Sequence, residues 1–225
     1  MRALSLSAIS AGLALFIAVP VPAQQYIPAD SPVVFHLHRG STFQSGCWGA
    51  CACALSNAEP LRGTFRLELV NIGNATDFYQ VSQVDWRVQN LFGQPFNRVI
   101  SGSGPFAAGQ APFADHQFMN LDLTIAPTPA PWEGVGVFSG DGLRTVDPPV
   151  IDILIANSTT GCPGVRMRLV ATWFQSDWDA SGQVGLEDLF EFLGDYFGDQ
   201  ADYTMNGATS VQDLFAFLAD WFMGA

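Results

Sequence analysis

Two stretches decide the fold class: Thr64-Phe65-Arg66-Leu67-Glu68-Leu69-Val70 and Tyr79-Gln80-Val81-Ser82-Gln83-Val84-Asp85-Trp86-Arg87-Val88. In the first, Phe65, Leu67 and Leu69 alternate with Arg66 and Glu68, the period of a half-buried strand. In the second, Tyr79 and Val81 share one phase, and Val84, Trp86 and Val88 resume it one residue late. The slip falls at Gln83 and predicts a β-bulge. Val33–His38 alternates too, with Phe35 and Leu37 on one face and His36 and His38 on the other. Further strand-like runs are Arg98–Ile100, Phe118–Ile125, Ile151–Ala156 and Val165–Trp173. Gly102–Pro105 and Asp147-Pro148-Pro149 read as punctuation between them. Many short alternating runs without a helical period predict a mainly β chain, an antiparallel β-sandwich over residues 24–174. That length is enough to bury one core.

The charge balance points elsewhere. The 225-residue chain has a net charge of −12, and all nine of its basic residues are arginines. Residues 24–174 are nearly balanced, at −3. Residues 175–225 carry ten acids and no base. Such a balance excludes a nucleic-acid binder, which needs clustered cations, and disfavours anionic membrane surfaces. A shift this sharp marks 175–225 as a separate module.

Residues 1–23 read as a secretory signal peptide: Arg2, an apolar run from Ala3 to Val19, and small residues at Val21-Pro22-Ala23. The rival reading, an uncleaved anchor, is weakened by a run shorter than the roughly 20 residues of a comfortable span. The mature chain is therefore expected to be secreted or at the cell surface, with no membrane span after cleavage. In that oxidising setting Cys47, Cys51, Cys53 and Cys162 read as disulfide partners. The pairing favoured is Cys47–Cys51 with Cys53–Cys162. A four-cysteine zinc site is the alternative, although the Cys-x3-Cys-x-Cys spacing departs from the usual paired knuckle.

The middle region carries little recognisable chemistry. It lacks a nucleophile elbow, a phosphate-cradling glycine loop and a His-Glu-x-x-His motif. His36 and His38 share a strand face, and with His116 form a candidate metal set; two exposed polar positions are the plainer reading. Glu59, Glu68, Asp85, Asp115 and Glu133 are candidate glycosidase carboxylates, with no spacing that selects a pair. Trp48, Trp86 and Trp132 are candidates for stacking on a glycan, with Trp86 better suited to the core. Asn74-Ala75-Thr76 and Asn157-Ser158-Thr159 fit a glycosylation pattern.

The acidic tail repeats itself at a period of 25. Asp177–Phe197 aligns with Asp202–Phe222, identical at nine of 21 positions, so one structural unit is used twice. Each copy opens with twelve residues spaced like a calcium loop, with oxygen ligands at positions 1, 3, 5, 7, 9 and 12 and glycine at 6. The first offers Asp177, Asp179, Ser181, the Gln183 carbonyl, a water near Gly185 and Asp188, with Gly182 at the turn. The second offers Asp202, Thr204, Asn206, the Ala208 carbonyl, Ser210 and Asp213, with Gly207 at the turn. The first loop has three carboxylates and the second two, so the second is expected to hold calcium more weakly. An amphipathic helix follows each loop. Leu189, Phe190, Phe192, Leu193, Tyr196 and Phe197 fall on one predicted face, and Leu214, Phe215, Phe217, Leu218, Trp221 and Phe222 repeat it. Such short helices need each other as partners.

The duplicated Asp-x-Asp-x-Ser-Gly…Asp-Leu-x-x-x-Leu pattern resembles a type I dockerin. It is most similar to the aromatic-rich variety, with an aromatic residue at loop position 2 and Phe-x-Phe-Leu in the helix. The resemblance covers about 50 of the 225 residues. It implies a calcium-binding, EF-hand-like helical module that docks onto a cohesin-like protein or cell-surface scaffold. It also implies partner contacts at loop positions 10 and 11, here Leu186 and Glu187, and Val211 and Gln212. Asp179, Ser181 and Thr204 depart from the commoner family residues. Two functions follow as expectations. One is a non-catalytic β-sandwich, displayed or assembled through this module. The other is a dockerin-tethered hydrolase or lyase of small jelly-roll type, serving polysaccharide catabolism.

Overall fold

The computed structural model describes residues 32–48, 53–89, 98–109, 116–127, 134–143, 150–157 and 163–224. The chain is mainly β. Nine strands run in order: β1 (Val33–Leu37), β2 (Thr42–Gly46), β3 (Glu59–Ile72), β4 (Thr76–Val88), β5 (Arg98–Gly109), β6 (His116–Ala126), β7 (Val135–Leu143), β8 (Ile151–Ala156) and β9 (Gly164–Thr172). Two helices follow, α1 (Leu186–Phe197) and α2 (Val211–Gly224). Among the described residues, no helix is long and apolar enough to cross a membrane.

The strands form one antiparallel sheet rather than two separate ones. From β3 to β9 each strand pairs with the next. At the far end β9 pairs with both β1 and β2, which return to β3. The ladder therefore closes on itself as a barrel, which satisfies backbone groups that an open edge would leave bare. The alternation read in the sequence lines its interior. Phe35, Phe43, Leu61, Phe65, Leu67, Trp86, Ile100, Met119 and Leu169 are buried in one continuous core. Phe65 stacks on Phe35 and meets Trp86 edge-on.

The slip at Gln83 is a bulge: the β3–β4 register shifts between Thr64 and Arg66, and Gln83 has a φ of 50°. The punctuation read at Gly102–Pro105 is overturned, since these residues lie inside β5. Gly102 and Gly104 are there because β6 passes too close for a side chain. A Cβ at either would collide with the carbonyl of Asp122 or Asn120. β2 and β7, unanticipated from sequence, are polar or glycine-rich stretches recruited by their neighbours.

The cysteine pairing also changes. Cys47 bonds to Cys53, with Cα atoms 5.5 Å apart. Past β2 the chain turns back alongside it. Ser56 donates its amide to the Ser45 carbonyl at 2.8 Å, and its carbonyl accepts from Gln44 Nε2 at 2.9 Å. That return brings Cys53 opposite Cys47, so neither Cys47–Cys51 nor Cys53–Cys162 forms. Cys51 and Cys162 lie outside the described residues, as do the signal-peptide segment, Asp115, Trp132, Glu133 and the Ser158-Thr159 end of the second glycosylation tripeptide.

Candidate metal centre and docking face

The repeat read in the tail is reproduced contact for contact. In loop one, Asp177 accepts from the amides of Ser181 at 2.9 Å and Gly182 at 2.8 Å. In loop two, Asp202 accepts from those of Asn206 at 2.9 Å and Gly207 at 2.7 Å. Asp188 accepts from Asp179 N and Gly185 N; Asp213 accepts from Thr204 N and Ser210 N. Gly182 and Gly207, at φ 88° and 94°, make the sharp turn where a Cβ is disfavoured. The aromatic at loop position 2 is a strut. Trp178 Nε1 donates to Asp195 at 3.0 Å, and Tyr203 Oη to Asp220 at 2.8 Å, one repeat later. Phe192 and Phe217 stack at the centre of the module, centroids 4.0 Å apart and nearly parallel.

The two loops differ where their residues differ. In loop one the carboxylates of Asp177, Asp179 and Asp188 offer oxygens within 4.8 Å of one another. Burial pushes the Asp177 carboxyl up to about 7, with the charges of Asp188 and Asp179 adding to it against the Thr172 hydroxyl and the Gly182 amide. Asp188 is raised for the same reasons, burial first and Asp179 among the rest. Three crowded carboxylates, the Ser181 hydroxyl and the Gln183 carbonyl, which accepts from that hydroxyl at 3.2 Å, form an all-oxygen donor set, which suits a hard cation and not one that prefers nitrogen or sulfur. In loop two, threonine and serine replace charge with hydroxyl donors. Asp213 accepts from both the amide and Oγ1 of Thr204, and from both the amide and Oγ of Ser210. Burial raises Asp213, but these donors outweigh it and hold the carboxyl below its ordinary value.

The helices are longer than the apolar runs alone predict, and α1 starts inside loop one. The predicted partner residues Leu186 and Glu187, and Val211 and Gln212, therefore occupy the exposed first turns of α1 and α2. The predicted core faces need correction. Phe192, Leu189 and Tyr196 of α1, and Phe217, Leu214, Leu218 and Trp221 of α2, pack inward. Phe190, Phe197, Phe215 and Phe222 do not: they are 67%, 80%, 66% and 72% exposed. A core between two helices needs a narrower stripe than the run supplies. With Leu186 and Val211, these phenylalanines make a second apolar stripe, repeated at equivalent positions of both helices.

The module packs on the outer face of the barrel. Arg39 lies 3.1 Å from Glu191 and 3.4 Å from Asp195. Arg62 of β3 sits over the Trp178 ring, 5.9 Å from its centroid. Gln175 Nε2 donates to the Tyr203 carbonyl at 2.9 Å. His36 and His38 belong to this seam and not to a metal set. His38 is buried, its Nε2 2.7 Å from Thr172 Oγ1. Burial lowers the His38 pKa to about 3, helped by the charges of His36 and Arg62, and that of His36 to about 4 against the pull of Asp220. Both are neutral at physiological pH. His116 lies on β6, which pairs with β5 and β7 and not with β1. The sequence signal for the seam was there in His36 and His38: outward positions with half-apolar character belong under a covering element as readily as in solvent.

Of the described carboxylate candidates, Glu59 pairs with Arg98 at 3.1 Å and Asp85 with Arg87 at 3.4 Å. Asp85 stands opposite Thr64. That is five residues from Glu59 and four from Glu68, or about 17 and 13 Å at strand spacing. These separations are too wide for a glycosidase pair. Trp86 is fully buried in the core; Trp48 is half-buried beneath the Arg166 guanidinium.

No family model, no curated protein and no solved structure matches the chain.

Proposed function

We propose that this is an exported, non-catalytic β-protein assembled or displayed through a dockerin-like C-terminal module, whose first loop holds calcium and whose helices dock on a cohesin-like protein. The duplicated apolar stripe carries this reading. Leu186, Phe190 and Phe197 recur one repeat later as Val211, Phe215 and Phe222, and all six face away from the module's own core. Exposed apolar side chains at matching places in two copies fit a surface kept for a partner. Asp177, Asp179, Ser181, the Gln183 carbonyl and Asp188 would hold the ion, offsetting the repulsion among three carboxylates. The Cys47–Cys53 bond supports an oxidising destination.

The test measures binding of the full chain to purified cohesin domains by biolayer interferometry, with calcium and with chelator. Calcium-dependent binding that is lost in the Phe190→Ser/Phe215→Ser double variant is the expected result. Failure to bind cohesins while calcium is bound would overturn the docking partner.

A further inference from the structure

We propose that the cleft between α2 and the barrel is a seat for a guanidinium group on an apolar stem, either an arginine side chain of another polypeptide or a free arginine-like ligand. The internal repeat carries the comparison. Glu191 and Asp195 of α1 stand 25 residues before Ala216 and Asp220 of α2, so the two pairs hold equivalent places. A spacing of four puts each pair on one helix face. In the first copy that face is occupied. The Arg39 guanidinium of the barrel lies 3.1 Å from Glu191 and 3.4 Å from Asp195, and Asp195 also accepts from Trp178 Nε1. The second copy keeps the aromatic contact, with Tyr203 Oη donating to Oδ2 of Asp220 at 2.8 Å. It has alanine in place of Glu191, and Ala216 and Asp220 line an open cleft of about 350 Å³.

A cleft of this size falls within the range of small-ligand sites. His36 and Thr64, cross-strand partners on β1 and β3, form its barrel side. Met205, Ala216 and the Tyr203 ring offer apolar surface for a stem. Asp220 is the one charged side chain among the described residues that line it, because burial keeps His36 neutral. Arg62 lies in the adjoining enclosed space, over the Trp178 ring, and does not line the cleft. The chain has no lysine. Asp220 is thus left without the cation that its counterpart Asp195 receives from Arg39. A guanidinium suits the place better than a point charge. Its planar fork matches a carboxylate, and its remaining N–H groups suit a hydroxyl such as that of Thr64.

The experiment titrates the full chain, followed by two-dimensional NMR, with N-acetyl-arginine methylamide, free L-arginine, and the capped lysine and citrulline analogues. The capped arginine should bind. The citrulline analogue, close in shape but uncharged, should bind about fivefold more weakly, the upper end for an exposed ion pair. Asp220→Asn should weaken the capped arginine by the same factor. Ala216→Leu narrows the cleft without touching the carboxylate and should weaken it at least as much. Helical circular dichroism checks that both variants stay folded. Tighter binding of the capped than of the free arginine assigns the seat to a polypeptide side chain, and the reverse order to a free ligand; either supports the seat. Absence of binding, equal binding of the capped lysine, or an affinity unchanged by both variants would overturn the proposal.

Discussion

Loops one and two have the same backbone and the same four carboxylate–amide contacts, yet settle their charge in different ways. Loop one keeps three carboxylates together, and on the proposed reading a cation relieves them. Loop two trades one carboxylate for Thr204 and adds Ser210, so that hydroxyls take the place of an ion around Asp213. The repeat thus shares one geometry, and a few side chains change the donors around each copy's carboxylates.

The largest effect tests what the copies share. Phe192→Ala and Phe217→Ala each break the central stack, and each should cost about 3–5 kcal/mol of module stability. Chemical denaturation followed by helical circular dichroism would measure it. A much larger loss for one than the other would mean the copies are not packed as equals.

Next comes the contrast itself. Asp213→Ala strands four donors of loop two and should destabilise the module by about 1–3 kcal/mol with or without calcium. Asp188→Ala also strands the amides of Asp179 and Gly185 in either condition, and on the proposed reading of loop one it should cost more in calcium than in chelator, because it also removes an ion ligand. Thermal melts of both variants in calcium and in chelator decide this; the same calcium dependence in both would erase the distinction between loops.

Acidification probes the seam. His38 is buried neutral, facing His36, Arg62 and the Thr172 hydroxyl, while His36 faces Asp220. Their folded pKa values lie below the unfolded value of about 6.5. The unfolded chain therefore takes up protons first, and stability present above about pH 6.5 is lost as pH falls toward 4. His38→Gln should flatten that slope in melts across the range. An unchanged slope would place the pH sensitivity elsewhere.

The smallest stability effect belongs to the outer stripe. Phe190→Ser and Phe215→Ser remove exposed side chains and should shift stability by less than about 0.5 kcal/mol. A large loss would show that the stripe packs within the chain rather than against a partner.

How much was legible depended on range. Alternation at Thr64–Val70 and Tyr79–Val88 revealed strands, their inward residues and the bulge at Gln83, because a strand's period is local. Loop spacing revealed both turns and all the loop carboxylates for the same reason. Gly102 and Gly104 misled, because a glycine that makes room for a neighbouring strand looks like one that makes a turn. Phe190 and Phe215 misled, because an apolar residue for a partner looks like one for the core.

Sequence by itself determined seven of the nine described strands, the acid-rich duplicated tail, the two twelve-residue loops and the asymmetry of their charge, all of them properties of neighbours along the chain. Tertiary structure alone decided that β1 and β2 bridge β9 to β3 and close the sheet, that Cys47 meets Cys53, and that His36, His38 and Arg62 lie beneath loop two. Those contacts join residues six to more than a hundred positions apart. Their partners are chosen by packing and by the neutralising of buried charge, which no local pattern records.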